Sequence, residues 1–188
     1  MKKLVLAFIA LIMTGTAILI GAPAAHAVYP DCWQYWCNWV VNSGFEDPSS
    51  SPWVKSPNAA IASDSICGYP TKVVKLKRVT GQQREWIYQR MYVQNSGLGR
   101  SQLDFKLDLR DDQNSPWDEL RITVKNLDTN ETEIFLIRGS AYDTNCPNPA
   151  LVIDLTNDYR NHNVELKFET SPLQFGTFVI DDVRFWTH

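Results

Sequence analysis

The chain has 188 residues and a formal net charge of −3. This length suits one domain with a sizeable core and is short for two domains. The acidic balance argues against a nucleic-acid partner and against electrostatic docking to anionic membranes, because both need a basic face.

Residues 1–27 have the three parts of a secretory signal peptide. Met1-Lys2-Lys3 is a positive start, an apolar run continues to about Ile20, and Ala25-His26-Ala27 is an Ala-x-Ala cleavage site. We expect cleavage before Val28 and a secreted, extracellular protein with no membrane insertion. Cleavage removes two of the 18 basic residues and no acid, which leaves 16 against 21, a balance of −5. An uncleaved membrane anchor is the alternative, since the apolar run is near the lower length for spanning a bilayer.

Residues 28–39 are rich in aromatic side chains, which are Tyr29, Trp33, Tyr35, Trp36 and Trp39. We interpret this segment as a disulfide-pinned lid whose rings pack on a domain formed by residues 40–188. A sugar-stacking patch is the alternative, because a ring face offers apolar and quadrupolar contact to a pyranose.

Four cysteines are an even set in an exported chain, so disulfides are expected. Of the three possible pairings we favour Cys32–Cys37, which closes a small loop, together with Cys67–Cys146, which joins distant segments. A zinc site built from all four thiolates is the alternative, although only Cys32 and Cys37 are near each other in sequence and no Cys-x-x-Cys motif occurs.

From residue 40 onward, apolar and polar residues alternate with the period of half-buried strands, and the segments are separated by Gly-, Pro-, Asn- and Asp-containing turns. The polar, Pro-containing stretch from Trp53 to Pro70 is predicted as loop. No convincing amphipathic helix is present. The pattern predicts an all-β, antiparallel β-sandwich, with strands near residues 40–41, 73–76, 86–93, 103–109, 120–124, 132–137, 152–155, 164–168 and 178–186.

One predicted strand, residues 86–93, carries aromatic and polar side chains on a single face. Ile87, Met91 and Val93 share the other face. Aromatic rings that stack on a sugar ring, next to polar groups that hydrogen-bond to its hydroxyls, suit sugar recognition. An aromatic cluster covered by a loop is the alternative. The candidate ligand residues are Trp86, Tyr88, Arg90 and Tyr92, flanked by Lys106, Asp108 and Arg110, with Trp53 and Trp117 beside Pro-containing loops as further candidates.

Motifs for catalysis are missing from the sequence, which has no Gly-x-Ser-x-Gly, His-Glu-x-x-His or glycine-rich phosphate loop. Asp111-Asp112 and Asp118-Glu119 are the acid pairs that a glycosidase would need. Both pairs fall in or beside predicted loops, where solvated acids are usual. We therefore predict that the protein is not an enzyme.

The last predicted strand contains two acids, Asp181 and Asp182, within an apolar run. If Val179, Val183 and Phe185 face a core, the period of two puts Asp181 on the same inward side. An inward carboxylate is costly unless a cation or several hydrogen-bond donors meet it. Two solvated acids near a strand end are the alternative.

Taken in order, several segments resemble the secreted galactose-binding-like jelly rolls, especially the carbohydrate-binding modules associated with xylanases and cellulases. Residues 41–46 are similar to an opening Asn-x-Gly-Phe-Glu strand followed by a Trp, and Ile180-Asp181-Asp182-Val183 is similar to the closing Ile-Asp-Asp-Val. Residues 88–93 and the pair 152–155 and 164–168 resemble internal strands. The resemblance extends from about residue 40 to residue 186.

In such modules the first and last strands are neighbours, and a structural calcium often lies where they meet. The resemblance therefore implies a calcium site formed by Glu46 and Asp181, with Asp182 as a further ligand and backbone carbonyls completing the six to eight oxygen ligands. It also implies a non-catalytic module that binds a polysaccharide or cell-surface glycan. A structural or adhesive domain that binds a protein partner, or no small ligand, is the alternative.

Overall fold

The alternating sequence produces two antiparallel β-sheets that pack face to face. This confirms the predicted all-β jelly-roll sandwich. The part of the chain described by the computed structural model consists of residues 31–33, 36–47, 52–66, 68–77, 84–95, 99–110, 117–139, 150–172 and 176–187.

One sheet has seven strands, and its most extensively paired strand is the last in the chain. The seven strands are β1 (Asp31–Trp33), β2 (Trp36–Asn38), β4 (Ala60–Ile66), β5 (Tyr69–Lys77), β7 (Ser101–Arg110), β10 (Leu151–Leu155) and β12 (Thr177–Thr187). The last strand, β12, pairs with β2, β5 and β7. Beyond these neighbours, β1 pairs with β2, β4 pairs with β5, and β10 pairs with β7.

The second sheet has five strands in the order β3-β6-β11-β8-β9. These strands are β3 (Val54–Lys55), β6 (Trp86–Val93), β8 (Glu119–Asn126), β9 (Thr132–Arg138) and β11 (His162–Thr170).

Apolar side chains from both sheets meet in one core between them. Phe105 and Phe168 contact each other edge to face at a centroid distance of 5.3 Å, and Tyr159 contacts Phe185 in the same way at 5.6 Å. Burial of each such ring stabilises the fold by about 1.5–3 kcal/mol.

The aromatic N-terminal segment contributes a hairpin to the seven-stranded sheet. The disulfide Cys32–Cys37 joins β1 to β2, which confirms the favoured pairing of these two cysteines. Trp39 is buried, and its Nε1 donates to Thr187 Oγ1 at 2.6 Å. Through the pairing of β2 with β12 the segment is hydrogen-bonded into the sheet as well as packed on it. Cys67, Cys146 and the predicted signal peptide lie outside the described residues.

Within the described part of the chain, no helix is both long enough and apolar enough to span a membrane.

Three segments differ from the sequence prediction, one of which is β3 (Val54–Lys55), which lies in a stretch predicted as loop. The strand predicted at residues 40–41 is wrong, because residues 41–44 form a turn in which Asn42 takes a φ of 51°, and Phe45 follows with a φ of 57°. Residues 60–66, predicted as loop, form the edge strand β4. An edge strand of small and polar residues carries only a weak alternation, so its partner β5 determines its conformation.

A β-bulge in β12 changes which side chains face the core. Before the bulge, Phe178 and Ile180 belong to the core, whereas Val179 packs in a separate small cluster on the outer face. After the bulge, Val183 and Phe185 belong to the core. The prediction that Val179 shares the inward side with Val183 and Phe185 is wrong, because the inserted residue reverses the alternation.

The same bulge determines the direction of Asp181. Its partner across the sheet is Lys106, an outer-face residue of β7, so Asp181 also lies on the outer face. Asp182, at the bulge itself, has a φ of 52°. Asp181 is nevertheless buried, with 4% of its surface exposed.

On the outer face of the seven-stranded sheet, Asp64 joins two cations from neighbouring strands. Its carboxylate pairs with the Lys75 ammonium and, at 2.8 Å, with Arg110 Nη1. The hydrogen bond from Lys75, with further bonds from the Ser65 amide and from Arg110, holds the pKa of Asp64 far below its usual value.

We expect Asp64→Asn to lower the unfolding free energy by about 1 kcal/mol at pH 7, a loss of roughly 2–4 °C in Tm. Because the folded pKa is depressed, this stabilisation is present above the unfolded pKa of about 3.9 and is lost as the pH falls through the folded pKa. The difference in Tm between the two proteins should therefore narrow in acid. Asp154→Asn, at an exposed position of β10, is the control. A difference that is constant with pH contradicts this account.

Candidate functional site

The outer face of the five-stranded sheet carries the candidate ligand residues of β6. Alternate residues of β6 are buried against the core, and the side chains between them point outward, as the sequence predicts. The register aligns Tyr88 with Val54 of β3 on one side and with Lys167 of β11 on the other. We call the outward set of β6 the aromatic platform, which consists of Trp86, Tyr88, Arg90 and Tyr92.

Two rings of the platform stack on each other. The centroids of Trp86 and Tyr88 are 5.6 Å apart with an angle of 27° between the ring planes. Arg90 Cζ lies 5.3 Å from the centroid of Tyr88, and Lys167 Nζ lies 5.9 Å from the centroid of Trp86, both within the range of cation–π attraction. These contacts hold both half-buried rings in place as a rigid apolar strip.

Ion pairs border the rings along β11. Arg90 Nε lies 2.8 Å from Glu165 Oε2, and Arg84 Nη1 lies 2.6 Å from Glu169 Oε1. Lys167 also pairs with Glu169. Burial alone would raise the pKa of Glu169, but hydrogen bonds from Lys167 and Arg84 outweigh it, so the pKa is lowered. Glu169 is therefore ionised at neutral pH.

A cavity of about 550 Å³ opens beside Trp86 at one end of the platform. Its buried wall is Glu85, which is 1% exposed and accepts hydrogen bonds from Ser56 Oγ and from Asn58 Nδ2, the latter at 3.3 Å. Sequence analysis missed this cavity because its walls come from segments far apart in the chain. The lining residues are Ser56, Pro57, Arg84, Glu85, Trp86, Lys167 and Glu169.

Other predicted ligand residues lie elsewhere. Trp53 is a core residue, 6% exposed, with its ring 5.2 Å from that of Phe45, so its assignment as a ligand contact is wrong. Trp117 is 61% exposed and lies just before β8, at the same end of the sheet as Trp86. The flanking role predicted for three residues of β7 is also wrong, because β7 belongs to the other sheet; these are Lys106, Asp108 and Arg110.

The acid pair Asp118-Glu119 has structural partners. Asp118 is fully buried and its Oδ2 accepts the backbone N–H of Gly176 at 3.0 Å, while Glu119 lies 3.9 Å from Arg138 Nε. The pair Asp111-Asp112 lies outside the described residues.

The predicted calcium ligands Glu46 and Asp181 lie on either side of Gly44. A Cβ atom built on Gly44 would be 3.8 Å from Asp181 Oδ1 and 3.8 Å from Glu46 Cγ. The backbone N–H of Val183 donates to Ser43 O at 3.0 Å and ties this turn to β12. The structure therefore brings the Asn-x-Gly-Phe-Glu segment against the closing strand, as the resemblance implies.

Asp181 has an unsatisfied oxygen at this point. Its Oδ1 is buried and has no hydrogen-bond partner among the described residues, and burial raises the pKa of its carboxyl. Glu46 Oε1 accepts from Thr71 Oγ1 at 3.1 Å and from the Lys72 amide at 3.2 Å. A buried carboxylate oxygen without a partner, on a side chain that approaches Gly44 together with Glu46, fits a hard cation that prefers oxygen ligands.

Asp182 is held differently. Its carboxylate pairs with Lys106 Nζ at 3.3 Å and with Arg184 Nη2 at 2.8 Å, so its charge is balanced by side chains. Across the residues described, no three His, Cys, Asp or Glu side chains gather in a metal-binding group. The residues present fit an ion held by Glu46, Asp181 and backbone carbonyls better than one held by all three predicted acids.

The architecture is a jelly-roll β-sandwich of two antiparallel sheets. No family model matches the chain, and neither does any curated protein. Among solved structures it is similar to TmCBM61 in complex with beta-1,4-galactotriose, with a TM-score of 0.55 and 13% identity over 79% of this chain and 97% of that chain.

Two enzymes contain a similar domain. An exo-beta-agarase matches with a TM-score of 0.52 and 14% identity over 76% of this chain and 24% of its own. The arabinose-bound MgGH51 α-L-arabinofuranosidase matches with a TM-score of 0.51 and 11% identity over 79% of this chain and 26% of its own. This chain thus spans about a quarter of either enzyme. Identities this low establish the fold alone.

Proposed function

We propose that the protein is a secreted, non-catalytic module that binds a glycan chain on the aromatic platform. The observation that carries this proposal is the stacked pair Trp86 and Tyr88, held outward on a continuous sheet with the charged hydrogen-bonding groups of β11 beside it. An apolar strip bordered by a few oriented polar groups is the usual composition of a sugar-binding surface.

In this proposal the C–H face of a sugar ring packs on Tyr88 or Trp86. Arg90 and Lys167 donate hydrogen bonds to ring hydroxyls, and Glu165 accepts them. These groups are already fixed by cation–π contacts and ion pairs, so little conformational entropy is lost on binding. The cavity beside Trp86 then receives the end of the chain or a branch.

The state of the carboxylates supports binding without catalysis. A glycosidase acid must be protonated at working pH. The pKa of Glu169 is lowered by hydrogen bonds from Lys167 and Arg84, so this carboxylate of the site is ionised and cannot serve as that acid. The likeness to TmCBM61, of which 97% is covered, supports a binding module at the level of fold.

A structural calcium ion at Glu46 and Asp181 is part of the proposal. It is supported by the unpartnered Oδ1 of Asp181 and by the approach of both acids to Gly44. When bound, the ion would neutralise the buried carboxylate and tie the turn of residues 41–44 to β12.

A second candidate function, adhesion to a protein partner, is favoured by one observation. Ile134 and Leu136 on β9 are 54% and 47% exposed on the same outer face as the platform. Such side chains suit an apolar protein contact.

A glycan array followed by titration with soluble polysaccharides tests the first proposal. We expect binding to at least one polysaccharide class, with a change in tryptophan fluorescence that is lost in Trp86→Phe, since Trp86 lies in the site. A protein that binds nothing across a broad array, with unchanged fluorescence, is not a glycan-binding module. Retention of a protein ligand through Ile134 and Leu136 would then favour adhesion.

A further inference from the structure

We infer that the glycan recognised here is acidic, a polysaccharide carrying carboxylate or sulfate groups along its chain. The inference rests on the proposed function and specifies its ligand class. It comes from the distribution of charge on the outer face of the five-stranded sheet.

Cations outnumber carboxylates on this face, although the whole chain is acidic with a net charge of −3. The register of the described strands identifies the outward positions, since paired residues share a face. Five of these positions are basic and three are acidic; outside the strands, Arg84 before β6 adds a cation, and Asp128, whose carboxylate accepts from Asn163, adds an acid. The basic residues are Arg90, Arg121, Lys125, Arg138 and Lys167, and the acids are Glu119, Glu165 and Glu169.

The carboxylate side chains on this face are less exposed than the cations that pair with them. The side chain of Glu165 is 19% exposed beneath Arg90, which is 62% exposed. Glu169 is 13% exposed beside Arg84, which is 44% exposed. A ligand approaching this surface therefore meets guanidinium groups first.

Two of the cations have no counter-ion in the part of the chain that the structure describes. Neither Arg121 nor Lys125 forms an ion pair there, and the buried Nε of Arg121 has no hydrogen-bond partner. A buried guanidinium N–H without an acceptor loses its hydration without compensation. A carboxylate or sulfate of a ligand would supply these two cations with the counter-ion that they lack among the described residues.

The positions of these two cations relative to the rings define a path across the sheet. One row of paired residues runs from Tyr88 through Lys167 to Thr123. Arg121 and Lys125 flank Thr123 on either side along β8, two strands and about 10 Å from Tyr88. A chain that stacks on Tyr88 and crosses β11 therefore passes Lys167 and then lies between Arg121 and Lys125.

This arrangement favours an acidic glycan over a nucleic acid. Glu165 and Glu169 lie between the rings and the two unpaired cations, where they can accept hydrogen bonds from sugar hydroxyls, which a DNA backbone lacks. A sugar polymer with hydroxyls between its charges offers hydrogen-bond donors to these carboxylates and anions to the cations.

The test compares polygalacturonate with its fully methyl-esterified form, so that charge changes while the chain does not, and includes a sulfated galactan as the sulfate arm. We expect the wild-type protein to bind an acidic polymer about tenfold more tightly than its neutral counterpart at low salt. The preference should shrink as ionic strength rises. Lys125→Gln and Arg121→Gln should each remove most of the preference for the acidic polymer.

Lys77→Gln, an exposed substitution on the other sheet with the same change in net charge, is the matched control and should keep the preference. Lys125→Gln alone suffices if Arg121→Gln fails to fold. Equal affinity for acidic and neutral polymers, or single-stranded DNA bound as tightly as the acidic glycan, overturns the inference and leaves glycan binding standing. If the protein binds none of these polymers and no member of the glycan array, both the inference and the proposed function are wrong.

Discussion

Tyr88→Ala is expected to weaken glycan binding about thirtyfold. The substitution removes one of the two stacked rings, and a central aromatic residue typically contributes about 2 kcal/mol or more to binding. Trp86→Ala should have an effect at least as large, since it also opens the cavity wall. Isothermal titration with the best ligand from the glycan array measures both affinities.

The matched control is Tyr69→Ala. Tyr69 is 71% exposed on β5 of the other sheet, so its loss removes the same side chain without touching the platform. Tyr88→Phe separates the two parts of the tyrosine, and we expect it to retain most of the affinity because the ring is kept. If Tyr88→Ala and Tyr69→Ala bind equally well, with unchanged Tm, the ligand does not lie on the platform.

Calcium is expected to raise the Tm of the wild-type protein by about 5–10 °C at a concentration roughly 100 times its Kd. Asp181→Asn should abolish this gain, because the amide replaces the carboxylate that faces Gly44. Without calcium the variant should be at least as stable as the wild type, since it no longer buries a carboxylate whose Oδ1 has no partner. Thermal unfolding with added calcium and with chelator, at matched ionic strength, measures both effects.

Asp182→Asn serves as the neighbouring control. Asp182 is paired with Lys106 and Arg184, so its substitution should lower Tm slightly and leave the response to calcium intact. A calcium gain that survives in Asp181→Asn, or a wild-type Tm that is the same in calcium and in chelator, rules out the proposed ion at this position.

Most strands follow from the sequence because one of their faces is buried. In β7 and β8, strict alternation of buried and half-buried residues is visible in the order of residue types. The edge strand β4 lacks this contrast, since it has little contact with the core and consists mainly of small and polar residues. The turn at residues 41–44 is less visible in the sequence because part of its support is remote, since the Val183 amide donates to Ser43 O.

For the candidate site, the sequence predicts which residues of one strand share a face, but not which strands lie side by side. The period of two assigned Trp86 and Tyr88 to one outward face, but it gives no information on which sheet the next strand joins. Arg110 was therefore assigned to the wrong surface. Trp53 is buried because Phe45 and Phe168 surround it, contacts that local sequence does not encode. The bulge at Asp182 likewise needs the register with β7 to become visible.

The placement of β1, β2 and β12 has a practical consequence for fusing the protein to a reporter or fixing it to a sensor surface. All three belong to the seven-stranded sheet, so both ends of the described chain leave from the layer opposite the aromatic platform. A tether at either end, whether a fused reporter or a biosensor support, therefore joins the molecule through the sheet that does not carry the platform. Surface-based binding assays should accordingly give the same affinity from N-terminal and C-terminal attachment.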